Sequence, residues 1–492
     1  MNLYIGVDLG TSAMKLLLVA ADGEILKTVS REYPLEFPKP GWSQQAPEDW
    51  VKALFDGMPE LISGIDPSDV KGIGVAGQMH GLVVLDENDR VIRPAILWND
   101  GRTAEEVDYL NNAIGRDKLS AMTANIAFAG FTAPKILWMR KHEPELFARI
   151  KKIMLPKDYI NYILTGVHSC DYSDASGMLL LDVENKRWSR EMLDICGVTE
   201  AQMPALYESY DTVGTLLPDV AARLGLSPDV KVVAGAGDNA AAAIGTGVVN
   251  GGDCNISLGT SGTVFIASDS FGVDSTNALH SFAHASGGYH LMGCMLSAAS
   301  CNKWFVSDIL GKTDYRAGED AVTDEMLGEN RVFFLPYLMG ERSPINDTDA
   351  RGTFIGMSMD TTRADMVQAV LEGVAFAIRD SVEVARGLGI EISRSKICGG
   401  GAKSPLWKRI IANVLNVTLE VPVTEQGPGM GGAMLAMVAC GEFASVSEAC
   451  EKLVRVSSTV EPEPALCEKY QDRYEKFKKI YPSVRTLFKE IK

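Results

Sequence analysis

Apolar runs of strand length punctuate this chain in a repeating way. Residues 4–9 and 14–19 are mostly apolar and flank the small turn Gly10-Thr11-Ser12, which predicts a β-hairpin. The pattern returns at Asn255-Ile256-Ser257-Leu258-Gly259-Thr260-Ser261-Gly262, followed by an apolar run over 263–267. Leu-Gly-Thr-Ser thus recurs at an offset of 258 − 9 = 249, about half the chain, and points to two related halves. Within each half, helical periodicity precedes a strand-like run: 47–63 before 70–76, and 363–388 before 395–398. That alternation predicts α/β layers, with the boundary among the glycines of 245–255 and domains at 1–248 and 249–492. Tyr470, Tyr474, Phe477 and Tyr481 recur at helical spacing and place a helix over 466–480.

Composition narrows the function. With 492 residues, 46% hydrophobic and 23% charged, the chain is long enough for two or three well-packed domains. Its 47 basic against 64 acidic residues give a net charge of −17, which disfavours nucleic acid and anionic membranes. Any anionic ligand must therefore be held locally, by backbone N–H groups, a helix N-terminus or a metal. Nine cysteines without a Cys-x-x-Cys pair argue against a disulfide framework or zinc site. The longest apolar runs, such as 16–21, are too short to span a bilayer, and Asp8 interrupts any signal-like start. A soluble, cytoplasmic protein is expected.

Six segments carry candidate chemistry. Asp8 stands at the end of a strand beside the Gly10-Thr11-Ser12 turn, with Lys15 nearby, which suits Mg²⁺ and phosphate; it also suits an ordinary turn. The echo at 257–262 keeps the turn but carries Ser257 in place of the carboxylate. At 230–241 a strand runs through Gly235-Ala236-Gly237 into an Ala-rich helix, displaying Asp238 and Asn239 at its start. The formal Gly-x-Gly-x-x-Ala match lacks the acidic end of a second Rossmann strand, so Asp238 is either a catalytic carboxylate or a helix cap. Gln78, Met79 and His80 lie between Gly77 and Gly81, and Trp98 and Asp100 stand near Arg102, mixtures that suit polyols, although Asp100 and Arg102 can simply pair. Gly399-Gly400-Gly401 followed by Ser404 ends another strand, where a purine or phosphate can approach backbone; a tight turn is the alternative. The Walker-like 310–313 has Val306 where the first Gly is required and is set aside.

Together these segments resemble the FGGY carbohydrate kinases of the actin-like ATPase superfamily, over about residues 4–441. The run from Gly130 to His142 is similar to the family's first signature, and that from Gly352 to Glu372 to its second. The resemblance implies two actin-like (ribonuclease H-like) α/β domains flanking a catalytic cleft, sugar held mainly by the first and ATP by the second. It implies Asp238 as catalytic base and Asp8 as the carboxylate organising Mg²⁺, with both as candidate metal ligands. Met79, His80, Asp238 and Asn239 match sugar contacts; Thr11, Ser12, Thr260, Gly400, Gly401 and Ser404 match nucleotide contacts, to which the turns add Gly10, Gly259 and Lys15. By the same resemblance, the Gln78–Gly81 loop implies a ketopentose rather than glycerol: D-xylulose, phosphorylated on its 5-hydroxyl, is expected, with D-ribulose and L-xylulose as alternatives. A homodimer is compatible with such a chain. The rival from another class is a non-enzymatic actin-like nucleotide switch, which has no use for sugar-type side chains at 78–81 and 98–102.

Overall fold

The computed structural model describes residues 1–314, 318–423 and 426–491. It divides into two compact units. The first comprises Met1–Val249, Ser281–His290 and Gln426–Val454, and the second Asn250–His280, Leu291–Glu425 and Arg455–Lys492. A single cut near 248, as the sequence suggests, therefore misses two segments that return to the first unit.

In the first unit, the strand Leu3–Leu9 pairs antiparallel with Ala13–Ala20 and parallel with Val70–Gly77. Val70–Gly77 in turn pairs parallel with Lys231–Val233, and Thr212–Thr215 closes that edge antiparallel. Ile25–Glu32 lies outside Ala13–Ala20. The second unit repeats the plan. Cys254–Leu258 pairs antiparallel with Gly262–Ser268 and parallel with Arg394–Cys398. Thr418–Pro422 then adds in parallel, and Val456–Val460 closes the edge antiparallel. The two Gly-Thr-Ser turns differ in length: Leu9 faces Met14 across the first, whereas Leu258 faces Gly262 across the second, one residue fewer.

Strand alternation sorts the side chains of Leu3–Leu9 between two faces. Leu3, Ile5, Val7 and Leu9 enter the core under the helix Pro47–Leu61, whose Trp50, Leu54, Met58 and Leu61 recur at helical spacing and are buried. Tyr4 and Gly6 face the opposite way, towards the helix Gly427–Cys440. Asp8 shares that second face by its position in the strand. Gly6 and Gly74 meet the backbone of Gly429 and Gly432 so closely that a Cβ at either strand position would collide with a carbonyl oxygen. Glycine is required there by approach of backbone to backbone.

In the second unit the long helix Arg363–Gly387 starts at a reciprocal cap: Thr362 accepts from Asp365 N, and the Asp365 carboxylate accepts from Thr362 N at 2.7 Å. The C-terminal region forms two helices, Pro464–Phe477 and Ile480–Glu490, in place of the single one expected. Tyr470, Tyr474 and Phe477 gather around Phe376, whereas Tyr481 belongs to the next helix and donates to Asp347 at 2.6 Å. The aromatic spacing is continuous in sequence, yet its last member serves a different contact. Among the described residues no helix is long and apolar enough to cross a membrane.

Candidate active site

The first unit brings Asp8 and Asp238 together. Ladder register places Asp8 beside Ala76 and Ala76 beside Ala236, and Gly237 ends that short strand beside Gly77. The chain then turns into the helix Asp238–Thr246. Asp238 is not the cap of this helix: Gly237 occupies that position, and the Asp238 carboxylate accepts from Asn239, from its N at 2.8 Å and its Nδ2 at 3.1 Å. Burial, followed by the charge of Asp8, pushes the Asp238 carboxyl up to about 7. The Asp8 carboxyl is also raised by burial, against the opposing pull of Lys15, its partner across the hairpin.

His80 is fixed from three sides. Its backbone is left-handed, with φ of 69°, a costly conformation for a non-glycine residue that requires support from its surroundings. Thr132 Oγ1 and Lys135 Nζ supply it by donating to the His80 carbonyl at 3.0 and 2.8 Å. The ring stacks on Phe131, and its Nδ1 lies 2.7 Å from the Gly177 carbonyl. A carbonyl only accepts, so Nδ1 carries the proton and Nε2 of the neutral ring is an acceptor. Lys135 is fully buried, and burial holds its amine well below the usual lysine range. Within the run from Gly130 to His142, Phe131, Thr132 and Lys135 thus hold His80 in place, a contact the local pattern does not reveal. Met79 is buried and 3.8 Å (Sδ) from Asn239 Nδ2.

Other candidates are committed to the scaffold. Asp100 forms a fully buried ion pair with Arg102 at 2.8 Å and accepts from Ser43 N at 2.5 Å, so the simple pairing is the arrangement adopted. Arg102 also stacks over Trp42, 4.0 Å from the ring centre. Gln78 turns its Nε2 towards the Gly10 carbonyl and Gln45, at 3.4 and 3.3 Å. Trp98 donates to Thr11 Oγ1 at 2.9 Å, and Gln45 Nε2 to the Thr11 carbonyl at 2.9 Å, bracing the turn of Gly10, Thr11 and Ser12. Tyr33 adds a third brace, donating its hydroxyl to the Gly10 carbonyl at 2.5 Å.

In the second unit a cavity of about 670 Å³ is lined by Gly259, Thr260, Gly400, Gly401 and Ser404, and its wall continues through Asn302. Ser404 Oγ donates to Glu319 at 2.6 Å and caps the helix Pro405–Leu415 by accepting from Trp407 N at 3.0 Å. Asn302 and Ser300, which single-sequence reading passes over, each leave a buried side-chain oxygen without a partner among the described residues. Buried polar atoms are rarely left unpaired, which sets these two residues of the cavity wall apart.

Behind Asp238 lies Asp174, fully buried and with neither carboxyl oxygen partnered among the described residues. Burial raises its carboxyl well above the usual range against the opposing pull of Lys157, and Asp158, Asp171 and Asp238 add to the rise. A carboxyl whose folded affinity for its proton exceeds the unfolded one contributes stability below the unfolded pKa and loses it as pH rises towards the folded value. Asp174→Asn is therefore expected to melt higher than the parent at pH 8, the difference shrinking towards pH 4. Differential scanning calorimetry across that range checks it, and a pH-independent difference contradicts it.

A sheet plan used twice, with an acidic pair at the strand ends of one copy and a glycine-rimmed cavity in the other, suits a two-domain phosphotransferase of the sugar-kinase class. The N-terminal domain of the FGGY family of carbohydrate kinases matches residues 3–245, and its C-terminal domain residues 254–440. The chain belongs to this family. It is 40% identical to the xylulose kinase of Escherichia coli strain K12 over 487 residues, covering 99% of this chain and 100% of that protein. Its structure is similar to that of a xyloylose kinase from Brucella ovis, with a TM-score of 0.93, 40% identity, and coverage of 99% and 100% of the two chains. A gluconate kinase from Lactobacillus acidophilus matches with a TM-score of 0.94 at 25% identity, over 100% of both chains.

Proposed function

We propose that this chain transfers the γ-phosphoryl group of ATP to the 5-hydroxyl of D-xylulose, in the cytoplasm. The observation that carries the reading is Asp238: a carboxyl raised to about 7, displayed beside Asn239, Met79 and the fixed ring of His80. Asp238 accepts the proton of the sugar hydroxyl as the new O–P bond forms and the bond from the γ-phosphorus to the β-phosphate oxygen breaks, releasing ADP. His80 Nε2 and Asn239 pair sugar hydroxyls, so the first unit selects the acceptor. The cavity around Thr260 and Gly400 takes the nucleotide, and the braced turn at Thr11 and Ser12, with Lys15 close by, receives phosphate oxygens.

Mg²⁺ fits the acidic pair by its donor chemistry: Asp8 and Asp238 are hard oxygen ligands, both destabilised as anions by burial. Two carboxylates do not make a closed cage, and among the described residues three ligands of metal type gather only at Glu105, Glu106 and His142, away from these strand ends. Asp8 would therefore hold the ion together with phosphate and water oxygens. When bound, Mg²⁺ supplies charge neutralisation on the phosphates.

The test is a panel of acceptors. D-Xylulose is expected to give the highest kcat/KM, ahead of L-xylulose, D-ribulose, glycerol and gluconate. A misplaced hydroxyl leaves a buried partner unmatched at a cost of about 1–3 kcal/mol, or roughly 10- to 200-fold. His80→Ala should raise KM for the pentulose while KM for ATP stays put. Gluconate or glycerol leading the panel overturns the choice of acceptor.

A further inference from the structure

The place of Asp238 is set by the five residues before it, and those residues are held by one buried polar network. Lys157 Nζ donates to the Ala234 carbonyl at 3.0 Å, and Asn161 Nδ2 to the carbonyls of Val233 and Ala234 at 3.2 and 2.9 Å. Gly235 N donates to the Ser209 carbonyl at 3.0 Å. The last link is Gly237 N, which donates to Ser173 Oγ at 3.3 Å. The Ser173 hydroxyl is not a rotor, because its own proton goes to Asp171 Oδ2 at 2.5 Å, leaving a lone pair for Gly237. Asp171 Oδ2 also accepts from Ser173 N and Ser209 Oγ, at 2.9 and 2.8 Å, while its Oδ1 lies 3.1 Å from Lys157 Nζ. Lys157 in turn meets Asp158 at 2.7 Å. The side chains of Lys157, Asp158 and Asp171 are wholly shielded from water.

Buried ion pairs of this kind contribute little net stability, since desolvation offsets their attraction and apolar side chains of similar volume serve as well. What this one does is fix a backbone. We infer that Lys157, Asp171 and Ser173 are positioning residues for phosphoryl transfer: through Gly237 they hold the Asp238 carboxylate where the acceptor hydroxyl must present its proton. This rests on the reading of Asp238 as base. Misplacing a reacting group by about 1 Å can cost about 100-fold in rate, so loss of one link in a multiply held segment is expected to cost about 10-fold.

The experiment uses the full chain with the best acceptor of the panel. Ser173→Ala, Ser173→Thr, Asp171→Asn and Asp238→Asn are compared for kcat, both KM values and melting temperature. Ser173→Ala is expected to lower kcat about 10-fold with KM for ATP unchanged, and Ser173→Thr, which keeps the hydroxyl, to return within about 3-fold of the parent. Should Asp171→Asn fail to fold, the two Ser173 variants decide. A Ser173→Ala enzyme with parental kcat, or a loss that Ser173→Thr does not rescue, overturns the positioning role while an inactive Asp238→Asn leaves the base in place. An active Asp238→Asn removes the base itself, whatever the Ser173 variants do.

Discussion

Asp238→Asn is expected to lower kcat by about 10²- to 10⁴-fold, the range usual for a positioned general base, while ATP still binds. The amide keeps the shape and the contact with Asn239 but cannot take a proton. The pH profile gives a second signature. A base must be deprotonated to act, and burial together with Asp8 pushes this carboxyl up to about 7. The parental kcat/KM should therefore fall about tenfold per unit below about pH 7 and level off above it, and this acidic limb should vanish in the Asn variant. Steady-state rates from pH 5 to 9 measure both. A parental rate in the variant removes Asp238 from the chemistry.

Gly74→Ala should be among the most damaging small substitutions in the molecule. Its methyl group would overlap the Gly432 carbonyl, and the helix Gly427–Cys440 has no room to retreat. Gly6 meets Gly429 on the neighbouring strand, while Gly431 meets Ala241, and Gly427 meets Gly245, on the helix that begins with Asp238. Overpacking of this kind costs about 3 kcal/mol, enough to lower the melting temperature by about 5–10 °C. Activity should fall with it, because the helix that shifts packs against the helix carrying Asp238. Gly387→Ala is the control: nothing lies within 4 Å of its added methyl group, and it should melt with the parent. Equal melting of Gly74→Ala and Gly387→Ala contradicts the argument.

The hairpins and their repetition were legible in the sequence because each is local: an apolar run, a Gly-Thr-Ser turn and a second run specify a hairpin within about twenty residues. The same holds for Asp238, whose strand, turn and helix follow directly in the chain. Long-range pairings were not legible. Asp100 reads equally as a sugar ligand or as the partner of Arg102, and only the burial of both, with Ser43 N completing the shell, shows it engaged. Lys135 looks like one more helical lysine, yet its Nζ lies under the His80 carbonyl, 55 residues away in the chain. Asn302 and Ser300 belong to no recognisable turn; their place in the cavity wall, with buried oxygens unmatched among the described residues, depends on the fold.

The helix Gly427–Cys440 also fixes the order in which the protein can be completed. Its residues leave the ribosome after most of the second unit has been synthesised, yet the strands Leu3–Leu9 and Val70–Gly77 have one face shaped to receive it. Until then the first unit carries an uncovered sheet face, a period in which nascent chains are vulnerable to mispairing and to capture by chaperones. A fragment ending near residue 249 would remain in that condition permanently, so cutting the gene between the two Gly-Thr-Ser repeats should give an insoluble first half rather than an autonomous sugar-binding domain.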